Sequence, residues 1–207
     1  MIESASPVPE SAESISGAAP IVQEAYRLAA REHAGQNRKA TPMPYLDHVR
    51  AVAELLTGYG FDNEVIAAAL LHDAIEHTDL STAKIASQFG ERIADLVAAM
   101  TDRQEIEDWE QRKDEHRARV SEAGRDAVAI YAADKLAGVR EARVGYAEVD
   151  ESVEGRLGRP LDQRLEVWDR DLEMVSRVQP ALPFAAELAE ELGRLRRDRA
   201  VSSSPRT

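Results

Sequence analysis

The nine residues LLHDAIEHT, positions 70–78, decide how this chain folds. They close the segment VIAAALLHDAI, positions 65–75, in which nine of eleven residues are apolar yet His72 and Asp73 stand side by side. Such a segment is built for burial. A buried carboxylate without a partner costs several kcal/mol, or its pKa shifts until it is neutral. Whatever neutralises Asp73 is therefore the functional question. Periodicity makes the segment a buried helix, with Asp62 or Asn63 as its N-cap. At about 100° per residue, one such helix brings His72, Asp73 and Glu76 within about a third of its circumference.

Outward from this helix nearly everything reads helical. IVQEAYRLAAREHAG sets Ile21, Val22, Ala25, Leu28 and Ala29 on one face, and NRKATPMP, with its two prolines, is a loop. YLDHVRAVAELLTGYG is a second amphipathic helix. LSTAKIASQFG and ERIADLVAAMTD are two shorter helices meeting at Gly90, and EIEDWEQRKDEHRARVSEAG is so charged that it reads as a solvated helix. RDAVAIYAADKLAGVREAR is apolar again, and two more helical stretches follow a polar segment around Gly155, Gly158 and Pro160. No period-2 strand and no repeat is visible. The fold class is all-α: one domain over residues 20–200, with a leader at 1–19 and a tail at 201–207 that lack any periodicity.

Composition narrows the function. The 207 residues are 43% hydrophobic, which suits a single core. There is no cysteine, which excludes a disulfide scaffold and a thiolate metal site and fits a reducing cytoplasm. No apolar run reaches the roughly 18 residues of a membrane span. A net charge of −12 argues against a nucleic-acid backbone as partner, though a few local cations can still serve a small phosphorylated ligand.

A second polar intrusion, Asp134 and Lys135, interrupts the otherwise apolar residues 127–139. His33 sits near the end of the first helix. A divalent cation would resolve these burials together: two imidazoles and two carboxylates make a mixed N/O site suited to Mn²⁺, Fe²⁺ or Zn²⁺. Such an ion lowers the pKa of bound water, and Glu76 is placed to accept its proton. Taken singly, the His-Asp doublet is also compatible with a surface pair, and Asp134–Lys135 with a structural salt bridge.

The ordered motifs EAYRLAAREHAGQNRK, PYLDHVRAVAELL, AALLHDAIEHT, IASQFGERIADLVAAMTD, QRKDEH and ADKLAGVRE, spanning about residues 23–143, resemble the HD-domain metal-dependent phosphohydrolases. More narrowly, the chain resembles the hydrolase domain of RelA/SpoT-type alarmone enzymes and their small stand-alone relatives. The resemblance implies an HD-type helical bundle around one metal, usually Mn²⁺, held by His33, His72, Asp73 and Asp134. It implies that Glu76 belongs to a catalytic pair, and that (p)ppGpp is hydrolysed at its 3′ position to GDP or GTP and pyrophosphate. Arg38 and Lys39 match a basic loop beside the nucleotide, and Lys135 a lysine facing phosphate. Two positions depart from the family pattern. His77 stands where the second member of a Glu-Asp pair is usual, and it could donate a proton or contact a phosphate. Gly138 stands where asparagine is usual, which leaves a different nucleotide or phosphate ester open as substrate, and a non-catalytic binding module as a further alternative. His48 lies on the apolar side of its helix and reads as a packed residue, His116 as solvated, and Tyr131 and Trp168 as core.

Overall fold

The computed structural model describes residues 17–148 and 152–202, so most of the expected leader and tail lies outside the described residues. Eleven helices follow one another among them: α1 (Pro20–Glu32), α2 (Tyr45–Gly58), α3 (Asn63–Leu71), α4 (Ala74–His77), α5 (Thr82–Phe89), α6 (Glu91–Met100), α7 (Trp109–Glu122), α8 (Arg125–Glu148), α9 (Ser152–Leu157), α10 (Leu161–Val178) and α11 (Pro183–Ser202). The described residues form no strand, only an isolated bridge between Asn37 and Pro44. No helix among them is long and apolar enough to cross a membrane. The all-α expectation holds.

The quoted segment is the centre of the bundle. Asp62 caps α3, its carboxylate accepting the Glu64 and Val65 N–H groups at 3.0 Å each. From Val65 to Leu71 every side chain of α3 is buried, against α1, α2 and α6. Opening a hole there costs more than the lost transfer energy alone, so Leu70→Ala should destabilise by about 2–5 kcal/mol. The long helix α8 is the second axis of the bundle and touches α2, α3, α6, α7, α10 and α11. A second apolar cluster joins Val139 and Ala142 of α8 to Leu165 and Trp168 of α10 and to Leu188 of α11. At Gly90 the chain turns from α5 into α6 with φ of 91°, a left-handed value that glycine adopts without a Cβ penalty.

Two expectations need correction. The helix does not run through to Ile75: α3 ends at Leu71, and α4 restarts at Ala74. The His72 ring donates from Nδ1 to the Ala69 carbonyl at 2.7 Å, where a continued helix would offer that carbonyl to the Asp73 N–H. Nor is the charged helix α7 merely solvated. It buries His116, Arg117 and Val120. The Arg117 guanidinium donates to Asp171 Oδ1 at 2.7 Å, and the Tyr131 hydroxyl donates to the same oxygen at 2.8 Å. Paired charges can enter a core that single ones cannot.

Candidate metal centre

Three helices converge on one point. His48 comes from the buried face of α2, His72 and Asp73 from the turn between α3 and α4, and Asp134 from the middle of α8. The Nε2 of His48 lies 3.1 Å from Asp134 Oδ1 and 4.0 Å from Asp73 Oδ2. The Nε2 of His72 lies 3.3 Å from Asp73 Oδ2 and 3.7 Å from Asp134 Oδ1. One ligand atom each from His48, His72 and Asp134 falls within a 4.8 Å cluster, and Asp73, Glu76 and His77 form an adjoining one.

The orientation of these groups suits a cation. Because Nδ1 of His72 is spent on the Ala69 carbonyl, its Nε2 lone pair points inward, buried and without a hydrogen-bond partner. An orphaned imidazole nitrogen between two carboxylates is the donor set of a mixed N/O divalent site. Each carboxylate has a further donor, for Asp73 on the oxygen that also faces the two imidazoles and for Asp134 on the opposite one. The Tyr45 hydroxyl donates to Asp73 Oδ2 at 2.5 Å, and the Lys135 ammonium to Asp134 Oδ2 at 2.7 Å. The Arg38 guanidinium donates to Glu141 Oε2 at 2.8 Å, and that oxygen lies 3.9 Å from His48 Nδ1.

The electrostatics follow from this crowding. Burial pushes the His72 imidazolium down, but Asp73 and Asp134 outweigh it and carry the group up to about 10. Burial likewise pushes Asp73 and Asp134 up. For Asp73 it is outweighed by His72, and for Asp134 by Lys135 and His48, so both stay well below the carboxylate range. Without an ion, a proton on His72 and the Lys135 ammonium offset the two carboxylates; a divalent cation would bring two positive charges to the same atoms in place of the His72 proton. Glu76 behaves oppositely. Burial, then the charges of Asp73 and Asp102, raise its pKa.

His33 lies outside the 4.8 Å clusters but not apart from the site: its Nε2 is buried without a hydrogen-bond partner, and the charges of Asp73 and His72 reach its ring. It caps the end of α1, stacks on Tyr45 with ring centroids 4.7 Å apart, and meets Gln36 Oε1 through Nδ1 at 2.9 Å. The histidine brought to Asp73 and Asp134 beside His72 is His48, which the sequence reading took for packing. The signal was present: an imidazole on an apolar helix face is the same anomaly that singled out His72. His116, expected in solvent, is buried, its Nδ1 2.7 Å from Asp102 Oδ1. His77 is exposed at the rim, its Nε2 3.9 Å from Glu76 Oε1.

A cleft of about 530 Å³ opens beside the centre, with Asp134, Tyr45 and His77 in its wall. Arg38, Lys39, Lys135 and Arg164 line it with positive charge, while Gly138 and Trp168 line its apolar part. Lys39 is exposed, and Lys135 lies over the Tyr131 ring at 4.4 Å from its centroid. Arg164 and Trp168 come from α10, beyond the run of motifs. A Cβ placed on Gly138 would meet nothing within 4 Å, whereas one on Gly145 would come within 2.7 Å of the Ala40 carbonyl oxygen. Gly145 is thus a packing residue, and Gly138 keeps space open.

An all-helical bundle with a buried His-Asp doublet at its centre and a candidate His/Asp metal site defines the class, and the chain belongs to the HD-domain family, whose profile matches residues 25–151. It is 34% identical over 152 residues to a guanosine-3′,5′-bis(diphosphate) 3′-pyrophosphohydrolase of Aquifex aeolicus, covering 71% of this chain and 22% of that protein. It is 34% identical over 126 residues to the guanosine-3′,5′-bis(diphosphate) 3′-pyrophosphohydrolase MESH1 of Danio rerio, covering 58% of this chain and 68% of that one. Among solved structures, a metazoan ortholog of SpoT described as hydrolysing ppGpp matches with a TM-score of 0.68 at 26% identity, over 94% of this chain and 98% of that one. The chain spans 22% of the Aquifex relative's length, and 10% of that of a Mycobacterium leprae protein named a probable GTP pyrophosphokinase.

Proposed function

We propose that this protein hydrolyses a nucleoside 3′-pyrophosphate, (p)ppGpp in the first place, with a divalent cation, Mn²⁺, held by His72, Asp73 and Asp134 together with one of the two imidazoles that flank them, His48 or His33. The observation that carries the reading is the junction of that donor set with a cationic cleft of about 530 Å³, in one wall of which Asp134 itself stands. Relatives named as 3′-pyrophosphohydrolases support it, including one of which the chain covers 68%. When bound, the ion supplies Lewis acidity and a lowered pKa for water.

The chain's own groups do the rest. Lys135, Arg38 and Lys39 hold the phosphates, and Trp168 offers a face to the base. Glu76, its pKa raised by burial, takes the proton from the attacking water. The water oxygen bonds to the phosphorus nearest the ribose, and the bond from that phosphorus to O3′ breaks. Pyrophosphate departs and O3′ takes up a proton, for which His77 at the rim is the donor.

A second substrate is favoured by Gly138. With no side chain there, that part of the cleft offers no hydrogen bond to read a base edge, so another nucleotide can occupy the same site. One experiment tests both readings. The purified protein, loaded with Mn²⁺, is given ppGpp, pppGpp, NADPH, nucleoside mono- and triphosphates and a chromogenic phosphodiester. Pyrophosphate from ppGpp, abolished in Asp73→Ala and Glu76→Ala, supports the first reading; turnover of another substrate alone selects the second. Silence throughout the panel overturns both. The absence of cysteine supports a reducing cytoplasm as the compartment.

A further inference from the structure

The charged helix α7 makes a second set of contacts that the chemistry above does not use. Both oxygens of Glu76 are held from one short loop: the Asp102 N–H donates to Oε2 at 3.4 Å, and the Gln104 amide to Oε1 at 3.0 Å. The Asp102 side chain is itself buried, 4% exposed, and turns away from Glu76 into a pocket of cations from α7. Its carboxylate accepts from Lys113, lies 2.7 Å from His116 Nδ1 and is 3.6 Å from Arg112 Nε.

The same helix grips the loop elsewhere. The Arg112 guanidinium donates to the Ile106 carbonyl at 2.8 Å. Arg119 donates to the Ala98 and Ala99 carbonyls at the end of α6 at 2.7 and 3.2 Å. Burying a carboxylate is unfavourable without such partners, so this loop is held where it is at a cost that packing alone would not require. What the arrangement fixes is a pair of donors aimed at the carboxylate proposed to move the proton.

We infer that Lys113 and His116 are positioning residues for Glu76, acting through Asp102 to hold the 102–104 loop against its carboxylate. The inference rests on the proposed role of Glu76, and two readouts keep it separable from that role. Lys113→Met keeps the length of the side chain and removes its charge; His116→Leu keeps bulk and removes the ring nitrogens; His116→Asn returns a donor close to the Nδ1 position.

Amide hydrogen exchange measured by NMR on the full chain should show the Asp102 N–H exchanging at least tenfold faster in Lys113→Met and His116→Leu. The amides of α3 should keep their protection, and Glu76→Ala should reproduce the loss at Asp102. With Mn²⁺ and ppGpp, kcat should fall tenfold or more while KM stays within twofold, and His116→Asn should recover most of the rate. Unchanged Asp102 exchange in both variants overturns the inference, as does a raised KM with kcat intact. Should the wild-type protein turn over no substrate, the proposed function falls, and the exchange data alone still decide whether α7 holds the loop on Glu76.

Discussion

The choice between His48 and His33 as cation ligand has a measurable consequence. In His48→Ala the lost nitrogen is one that stands 3.1 Å from Asp134 and 4.0 Å from Asp73. In His33→Ala the lost ring is the one that stacks on Tyr45, whose hydroxyl in turn holds Asp73, and that carries a buried Nε2 without a hydrogen-bond partner. Loss of an outer support of this kind costs about 10–100-fold in metal affinity, and loss of a direct ligand more. Thermal shift converts this to a number. At a metal concentration of about 100 Kd the bound ion stabilises by ~2.7 kcal/mol, and a hundredfold weaker Kd at that same concentration leaves only ~0.4. For a chain of this size each kcal/mol is worth about 2–4 °C. Mn²⁺ should therefore raise the Tm of the wild-type protein by about 5–11 °C and that of His48→Ala by no more than about 2 °C, with His33→Ala in between. Chelator competition gives the affinities directly. If His33→Ala loses more affinity than His48→Ala, His33 and not His48 completes the ligand set.

Other perturbations probe different parts of the molecule. Gly138→Ala should stabilise the folded chain by about 0.5–1 kcal/mol, because it replaces a helix-interior glycine where the new Cβ meets nothing. The same change should lower kcat/KM if the substrate occupies that space, so a higher Tm with unaltered kinetics would separate Gly138 from the cleft's function. Glu76 must be ionised to accept a proton, and its pKa is raised; with saturating metal, kcat should fall as pH drops through that raised value, and a flat profile would remove Glu76 as the base. Asp171 is 1% exposed and takes both Arg117 and Tyr131, so Asp171→Ala removes the buried one of the two carboxylates on Arg117, leaving the exposed Asp114, and should cost up to about 3–5 kcal/mol in urea denaturation.

Much of the fold was legible because its signals are local. The apolar run at 65–71, a cap at Asp62 or Asn63 and the helix junction at Gly90 each depend on a few neighbouring residues, and the structure has all three, with Asp62 as the cap. The doublet His72–Asp73 and its distant counterpart Asp134 could be paired because both interrupt apolar helices, an anomaly that needs an explanation wherever it occurs. The third element could not be chosen the same way. His33 and His48 lie on neighbouring segments, and which imidazole faces Asp134 depends on how α1 and α2 pack, a tertiary fact with no periodicity of its own. The α7 misreading has a related cause: a helix of alternating charge looks solvated until its buried partners, Asp102 and Asp171, are seen on other elements.

The cleft is assembled from two parts of the polypeptide. Every proposed cation ligand precedes residue 135, while Arg164 and Trp168 are carried in by α10, docked on α8 through the second apolar cluster. Part of the cleft wall is thus encoded apart from the proposed ligands, while Arg38, Lys39, Lys135 and Gly138 lie within the same stretch as they do. Substitutions on the exposed-to-cleft face of α10 can retune which molecule is accepted while the ion's grip stays intact, and the α8–α10 seam is the natural place to graft one preference onto another.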